Sequence, residues 1–314
     1  MKQFLHYEKQ KYVVAAIGEI LWDVFPHGRQ LGGAPANFIY YIHLLGGKAF
    51  IVSRVGNDQA GKEIIVELQK AGLSSGFISI DDMHPTGTIS ITLDKKGIPE
   101  YMIPNNVAWD YIEWNSEILE LAKKADAVCY GSLAQRSEVS RNTLENFLGK
   151  TRKGCLHVFD VNLRKPYYIK ESITWLLDHS HVLKLNDKEL EVLADMFHVK
   201  GNETEILNFF LNRFSLELIA LTKGKNGSRL LSRHGESNHS GFSVNVIDTV
   251  GAGDSFTASL VMGLLRGESL NQLNENANKL ASIVCRQSGA WVDRDSINNA
   301  QVKNTIKVKE GELG

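Results

Sequence analysis

The part of the sequence with the clearest chemical potential is Asp248-Thr-Val-Gly-Ala-Gly-Asp254, which leads into a strongly apolar run that predicts a helix. Gly251 and Gly253 let the backbone turn tightly, so that the N–H groups of Gly251, Ala252 and Gly253 can point outward together. These amides and the helix dipole favour negative charge at this end of the helix. The sequence therefore predicts an anion pocket with a carboxylate, Asp254, beside it.

A carboxylate beside an anion pocket suits phosphoryl transfer. The transition state of that reaction spreads negative charge over the phosphoryl oxygens, so catalysis depends mainly on positioning and electrostatic stabilisation. A carboxylate next to the attacking hydroxyl can take its proton as the bond to phosphorus forms. Asp254 is therefore the candidate general base. The alternative is that Asp254 only caps the helix.

Strand-like and helix-like stretches alternate along most of the chain and must position these residues. The strand candidates are Val13–Ile17, Ala49–Val55, Ala127–Tyr130, Leu156–Val161, Val182–Leu185, Leu218–Leu221 and Phe242–Ile247. Helical patterns cover Pro35–Leu45, Gly61–Ala71, Val139–Leu148, Ile169–Leu177, Lys188–Phe197 and Glu203–Phe214. Repeated strand–helix units predict an α/β fold, with a central, mostly parallel β-sheet flanked by helices.

Two segments interrupt this alternation, Glu19–Leu31 and Gly87–Ile103. Both contain short alternating patterns bounded by turn residues, and Thr88–Ile103 has the pattern of a hairpin with its turn near Lys96-Gly97. Short antiparallel strands inserted into an α/β chain often form a flap over one edge of the main sheet. We expect the two segments to form a small β-strand lid on a single domain that spans residues 1–314.

Composition excludes several classes of function. The chain has 314 residues, with 43% hydrophobic residues, 23% charged residues and a formal net charge of −1. A balanced charge gives no global basic field for nucleic acid or an anionic membrane surface. The apolar run at Val13–Ile17 is too short for a signal-peptide core or a membrane span. The three cysteines form no CxxC pair. We therefore expect a cytoplasmic protein that binds neither nucleic acid nor membrane.

Five motifs in order resemble one known family. The DTVGAGDSF segment at 248–256 resembles the second signature of the ribokinase-like (PfkB) carbohydrate kinases, and Gly32-Gly-Ala-Pro-Ala-Asn37 resembles the first. DVNLR at 160–164, NDKE at 186–189 and TKGKNG at 222–227 match further motifs. The resemblance extends from about Ile17 to Gly289, nearly the whole chain, and is closest to the fructokinases. It implies a ribokinase-like fold.

The resemblance also implies which residues contact the sugar. Asp23 corresponds to the aspartate that accepts hydrogen bonds from sugar hydroxyls, as an acceptor-only carboxylate can. Gly33 and Asn37 correspond to the sugar contacts of the first signature. Arg164 is a candidate for the sugar or the transferring phosphate, because its planar fork suits phosphate oxygens. An ion pair between Arg164 and Asp160 is the alternative.

A further set corresponds to the nucleotide site and its magnesium ion. Asn186 and Glu189 match the NxxE motif, which organises Mg²⁺ and its waters around the phosphates of ATP. The alternative is a helix cap made by the same two residues. Thr222, Gly224 and Gly227 would form the turn beside the ribose and phosphates, although KGKNG alone is an ordinary hairpin turn.

Many members of this family hold a potassium or similar monovalent ion beside the anion pocket. The corresponding ligands here would be Asp248, the carbonyl of Val250 and a loop around Gln287–Gly289. The loop matches the family less well, because Trp291-Val-Asp293 stands where a proline-containing stretch is expected.

The function that the resemblance implies is that of an ATP-dependent sugar kinase. The leading expectation is a fructokinase that converts D-fructose to fructose 6-phosphate, with Asp254 as general base and the Gly251–Gly253 amides as the anion hole. A kinase of another small acceptor (ribose, keto-deoxygluconate or a nucleoside) remains open, as does a catalytically silent sugar-binding module. Lids of this family can meet across a dimer interface, so a homodimer through the lid is a further expectation.

Overall fold

The fold was analysed in a computed structural model, which describes residues 12–25, 28–93, 99–293 and 296, without the side chains of residues 91–93 and 99–101. The strands in chain order are β1 Val13–Ile17, β2 Leu21–Phe25, β3 Gly28–Gly32, β4 Lys48–Gly56, β5 Ile78–Asp81, β6 Thr88–Leu93, β7 Pro99–Met102, β8 Ala127–Tyr130, β9 Leu156–Asp160, β10 Val182–Asn186, β11 Leu218–Thr222, β12 Ser228–Ser232 and β13 Gly235–His239. The α-helices are α1 Ala34–Leu44, α2 Gln59–Lys70, α3 Ser116–Lys124, α4 Glu138–Lys150, α5 Lys170–Asp178, α6 Asp187–Phe197, α7 Glu203–Arg213, α8 Ala252–Arg266 and α9 Leu270–Val284.

The main sheet is mostly parallel, as the alternation of strands and helices predicted. Within the described residues it has nine strands in the order β13-β12-β11-β10-β9-β8-β1-β4-β5. The pairs from β11 across to β5 are parallel, and only the β11–β12 and β12–β13 pairs are antiparallel. The carboxyl ends of the parallel strands therefore meet at one edge, where α/β sheets bind their ligands.

Apolar side chains cover the main sheet on both faces. On β1, Val14 and Ala16 point into one core while Ala15 and Ile17 point into the other, as the two-residue period of a strand requires. The first core is completed by α1, α2, α8 and α9. The second is completed by α3, α4, α5, α6 and α7. The sheet is thus buried between two helical layers, which explains why its strands read as continuous apolar runs.

The two segments predicted as a lid pair with each other in one small sheet. Its strand order is β3-β2-β6-β7, with β2 and β6 parallel and the two outer pairs antiparallel. The predicted turn near Lys96-Gly97 lies outside the described residues. A separate small core that includes Leu21, Ile89 and Trp109 packs beneath this sheet. The movement of this small sheet as a lid stays a prediction, as does the expectation that residues 1–314 form a single domain.

One predicted strand is wrong. Phe242–Ile247 forms no strand in the structure and follows the outermost strand β13 as irregular backbone. Val246 and Ile247 are 56% and 65% exposed, so the alternating apolar pattern has no buried face to enter. The segment is instead held at its end, where the Ile247 N–H donates to the carbonyl of Cys285 at 2.8 Å.

Candidate active site

Asp254 lies in the first turn of α8, at the carboxyl edge of the main sheet. Gly251 caps this helix in the left-handed conformation, with φ of 77°. A Cβ on Gly251 would lie 2.8 Å from Cα of Ala290, so glycine is required both for the turn and for this close approach. The N–H groups of the first turn have no intrahelical acceptor, although Ala252 N–H donates to Thr249 O at 3.3 Å. The helix start therefore combines the Asp254 carboxylate with a left-handed glycine cap, and the anion pocket at its amides stays a prediction.

The carboxylate of Asp254 has a neutral hydrogen-bond partner on α1. Asn37 Nδ2 donates to Asp254 Oδ2 at 2.8 Å, and Trp291 Nε1 donates to Asn37 Oδ1 at 2.9 Å. Burial raises the pKa of Asp254 from 3.8 to about 6, with a further rise from the nearby Asp160 charge. Lys184 and the hydrogen bond from Asn37 limit this rise. Asp254 is therefore ionised for the most part at neutral pH, as a general base must be.

A buried ion pair lies beneath the start of α8. Lys184 Nζ on β10 bonds Asp160 Oδ1 on β9 at 3.0 Å, and both side chains are less than 10% exposed. Thr257 Oγ1 donates to the other oxygen, Asp160 Oδ2, at 2.7 Å. Burial alone would lower the pKa of Lys184, but the neighbouring carboxylates, Asp160 first among them, raise it above its usual value. A Cβ on Gly253 would lie only 2.9 Å from Lys184 Nζ, so this cation is directly below the glycine turn.

Arg164 supplies positive charge to three carboxyl groups, of which Glu19 is buried and Asp23 and Asp254 are half-buried. Burial raises the pKa of Glu19 from 4.5 to about 7 and that of Asp23 from 3.8 to about 6. The charge of Arg164 opposes the rise at both residues and also at Asp254. Asp160, the alternative partner of Arg164 in the sequence analysis, forms an ion pair with Lys184. The structure thus brings Asp23, Asn37, Arg164 and Asp254 to one region.

The glycine pair of the first signature allows two close approaches. A Cβ on Gly32 would overlap the carboxylate of Asp23, and a Cβ on Gly33 would lie 2.5 Å from the carbonyl oxygen of Glu19. Gly33 has φ of 102°, which side chains rarely adopt. The glycines therefore let β3 and the start of α1 pack directly against the β1–β2 connection and Asp23.

Asn186 and Glu189 form a reciprocal capping box at the start of α6. Asn186 Oδ1 accepts from Glu189 N–H at 2.9 Å, and Glu189 Oε2 accepts from Asn186 N–H at 2.8 Å. Glu189 Oε1 accepts from Leu163 N–H at 3.1 Å. The capping alternative of the sequence analysis is therefore present, and it fixes Glu189 beside the backbone of the Arg164 loop. A cavity of about 250 Å³ opens here, lined in part by Arg164, Lys165, Asn186 and Lys188.

The Thr222 to Gly227 turn follows β11, next to Asn186 across the sheet. Asn186 and Thr222 are register partners on β10 and β11, so both stand at the same edge. Gly224 and Gly227 have positive φ values of 54° and 79°, and a Cβ on Gly227 would overlap the backbone of His239. Within the described chain, no hydrogen bond or ion pair connects this turn with Asp254.

Asp248 joins the turn before α8 to the loop after α9. Its Oδ1 accepts from Thr249 N–H at 2.7 Å and Val250 N–H at 3.1 Å, and its Oδ2 accepts from Gly289 N–H at 2.9 Å. The Gln287–Gly289 loop therefore lies beside Asp248, and the binding of a monovalent ion there stays a prediction.

No group of three or more His, Cys, Asp or Glu side chains in the described part of the chain could hold a metal ion by itself. No helix among those residues is long and apolar enough to cross a membrane.

Sequence reasoning missed four residues of this region, Glu19, Lys184, Thr257 and Trp291. Lys184 carried a usable signal, because it is a lone charge within the apolar strand Val182–Asn186. Glu19 is only 4% exposed and lies between apolar neighbours. Burial of a carboxylate is costly unless it has a partner, so this position also carried a signal. Thr257 and Trp291 have no comparable signal, since their partners are far away in the sequence.

Comparison with known proteins agrees with this arrangement. The family model described as pfkB family carbohydrate kinase matches residues 24–296. An uncharacterized sugar kinase from Pyrococcus horikoshii is 31% identical over 297 residues, which cover 89% of this chain and 92% of that protein. The protein named "Probable fructokinase-2" from Arabidopsis thaliana is 29% identical, with 86% and 87% of the two chains covered.

Solved structures support the same conclusion. The crystal structure of the Pyrococcus horikoshii sugar kinase in complex with ATP has a TM-score of 0.76 to this chain at 28% identity. The match covers 88% of this chain and 94% of that one. With a family model that covers most of the sequence, a relative of similar length and a shared ribokinase-like fold, the chain belongs to the pfkB family of carbohydrate kinases.

Proposed function

We propose that this protein is an ATP-dependent fructokinase, which transfers the γ-phosphoryl group of ATP to the 6-hydroxyl of D-fructose. The observation that carries the proposal is the ionisable Asp254 carboxylate at the start of α8, held by Asn37 and adjacent to the glycine turn. The relatives named as fructokinases support the choice of sugar, and the ATP complex of the Pyrococcus horikoshii relative supports the choice of nucleotide.

Asp254 acts as the general base in this proposal. Its carboxylate accepts the proton of the sugar hydroxyl while the oxygen attacks the phosphoryl group. The first-turn amides around Gly251, Ala252 and Gly253 stabilise the charge that develops on the phosphoryl oxygens. The Lys184 cation below Gly253 strengthens this positive environment. The small sheet closes over the sugar and excludes water, which limits the loss of ATP to hydrolysis.

The sugar lies between the small sheet and the carboxyl edge of the main sheet. Asp23 accepts hydrogen bonds from its hydroxyl groups, Gly33 allows its close approach to the backbone, and Asn37 offers an amide. Arg164 faces both the sugar and the transferring phosphoryl group, because its charge already acts on Asp23 and Asp254. Such a hydrogen-bonding pocket can discriminate strongly between similar sugars.

ATP lies along the ends of β10 and β11 in this proposal, near Asn186, Glu189, Thr222, Gly224 and Gly227. A Mg²⁺ ion fits here, because magnesium prefers oxygen donors and keeps several waters when phosphates provide most of its ligands. Asn186 and Glu189 would hold those waters, and the ion would neutralise phosphate charge. A K⁺ ion would be held at the turn before α8, where Asp248 and the Val250 carbonyl would supply oxygen donors.

Two further expectations belong to this proposal. We place the enzyme in the cytoplasm, since Cys129, Cys155 and Cys285 are all free thiols.

We also propose a homodimer through the small sheet, whose outer strands β3 and β7 each have one unpaired edge among the described residues. Sedimentation of a monomer at micromolar concentration would exclude the dimer.

The first test is ADP release from purified protein with MgATP and potassium, against fructose, ribose, glucose, keto-deoxygluconate and adenosine. Turnover on fructose alone is the expected result. Turnover on another acceptor would keep the kinase mechanism and replace the substrate, whereas silence on every acceptor would support a sugar-binding module instead.

The second test replaces the base. Asp254→Asn is expected to lower kcat about 10²- to 10⁴-fold, the usual contribution of general base catalysis. Asp195→Asn, an exposed change on α6, is the matched control and should leave kcat unchanged. Near-normal turnover of the Asp254→Asn protein would refute the assignment of the base.

A further inference from the structure

One face of α1 contacts the segment that follows the Gln287–Gly289 loop. Asn37, Tyr40 and Tyr41 share this face, since residues three and four positions apart are neighbours on a helix. Tyr40 Oη donates to Val292 O at 2.6 Å, and Tyr41 Oη donates to Ala290 O. The ring of Tyr40 stacks on Trp291, with centroids 4.3 Å apart and planes 8° apart. The 290–292 segment is therefore fixed on α1 by contacts from three consecutive residues.

The side chain of Trp291 donates a hydrogen bond to Asn37, and the side chain of Asn37 donates one to Asp254. The two hydrogen bonds are 2.9 Å and 2.8 Å long. An indole nitrogen only donates and an ionised carboxylate only accepts. The Asn37 amide therefore has a single orientation that satisfies both neighbours, with its oxygen towards Trp291 and its nitrogen towards Asp254.

We propose that Trp291 is a positioning residue for phosphoryl transfer, because its indole N–H fixes the Asn37 amide in the orientation that donates to Asp254. The inference rests on the function proposed above, in which Asp254 is the base. Without the indole N–H the amide can rotate by half a turn. Its oxygen could then accept the O–H of protonated Asp254, so the protonated form would be stabilised relative to the ionised form that the Asn37 N–H favours.

The 290–292 segment and the glycine before it contact several parts of the site. Gly289, directly before it, donates its N–H to Asp248, and Ala290 fills the space that a Cβ on Gly251 would need. The same short segment thus touches the turn before α8, the helix cap and the partner of the base. A change in Trp291 is therefore expected to act on Asp254 through Asn37.

Several other charged or titratable groups act on the same carboxylate and must be considered in any pH measurement. They are Asp160 from β9, Lys184 from β10, Arg164 after β9, Glu19 after β1, Tyr41 on α1 and Cys129 on β8. Trp291→Phe changes none of these side chains. A shift in the acidic limb of the pH profile can therefore be attributed to the Asn37 hydrogen bond.

The test is the pH dependence of kcat/KM for the accepted sugar, in the wild-type protein and in Trp291→Phe. Phenylalanine keeps an aromatic ring for the stack on Tyr40 and removes only the N–H donor. The acidic limb is expected to move up by about half to one pH unit. The value of kcat/KM should then fall about three- to eightfold at pH 5.5 and return close to the wild-type value at pH 8.

Controls separate positioning from loss of structure. Trp175 lies on α5, where its indole stacks on His179. Trp175→Phe therefore removes an indole N–H elsewhere in the chain and should leave the pH profile unchanged. Should Trp291→Phe lower the melting temperature strongly, β-(3-benzothienyl)alanine at position 291 keeps the bicyclic ring and lacks the N–H. An equal loss of kcat/KM at every pH in that protein would indicate a structural role and overturn the proposal.

Asp254→Asn, measured in parallel, separates the role of Asp254 as the base from the positioning role of Trp291. If Asp254→Asn keeps full turnover, Asp254 is not the base, and both the proposed mechanism and the role of Trp291 fail. If Asp254→Asn loses turnover while the acidic limb of Trp291→Phe stays at the wild-type pH, only the positioning role is overturned.

Discussion

Removal of the Lys184 side chain tests the buried ion pair beneath the glycine turn. Lys184 and Asp160 lie 3.0 Å apart with side chains only 8% and 9% exposed. In Lys184→Met, Asp160 keeps its hydrogen bond from Thr257 but loses its counter-charge. Breaking a buried pair by removing one partner typically lowers the free energy of unfolding by about 3–5 kcal/mol. We expect a loss in this range, measured by urea unfolding at pH 7.

The double variant Lys184→Met/Asp160→Asn supplies the matched control. Replacement of both charges leaves no uncompensated ion, so the double variant should lose much less free energy of unfolding than the single one. The two charges also act on Asp254 in opposite directions, because Asp160 raises its pKa and Lys184 lowers it. The acidic limb of kcat/KM should therefore move to higher pH in Lys184→Met and to lower pH in Asp160→Asn.

Two results would refute this reasoning. A Lys184→Met protein within about 1 kcal/mol of the wild type would mean that Asp160 is not held as a buried charge. If the acidic limb of kcat/KM stays at the wild-type pH in both single variants, the ion pair does not act on the base.

The remaining predictions concern Glu19 and the glycine cap. The pKa of Glu19 is raised by burial from 4.5 to about 7, so its contribution to stability is complete below pH 4.5 and is lost as the pH rises through 7. Glu19→Gln should therefore increase the free energy of unfolding by about 3 kcal/mol more at pH 8 than at pH 4.5; equal effects at the two pH values would contradict this. Gly251→Ala should destabilise the protein by about 2 kcal/mol or more, since it adds a clash with Ala290 to the left-handed strain. Gly267→Ala has a similar φ and open space around its Cβ, so it should lose only about 1 kcal/mol; equal losses in chemical denaturation would show that the clash is absent.

Local sequence patterns were sufficient for most of the fold. β1 and β8 have the bounds that their apolar runs predicted, because a strand buried on both faces shows an uninterrupted apolar run with clear ends. Phe242–Ile247 has an alternating apolar pattern that also favours a strand, but it has no strand partner. A β-pattern reports the preference of a segment and not whether a sheet edge is available, and β13 already occupies the edge of the main sheet.

The candidate site was likewise predictable only in part. Asp254 and Gly251 were predictable, because turn, cap and carboxylate occur within a few residues. The hydrogen bonds around Asp254 were not, since Asn37 donates to Asp254 across 217 positions of sequence and Trp291 donates to Asn37 across 254. Asn37 was predicted to contact sugar, and the structure adds a bond to Asp254 that no local pattern indicates.

The same long separations have a consequence for synthesis of the chain on the ribosome. Every described strand of both sheets precedes residue 240, whereas Asp254 and Trp291 come later. A nascent chain that ends near residue 240 has every described strand but lacks α8 and α9, which complete the first core, so the base and its hydrogen-bond donor join the fold last. Contacts between distant residues also form late and slowly. We expect a partly synthesised chain to gain protease resistance in its sheets before it gains any ability to bind sugar, so that the site is completed last.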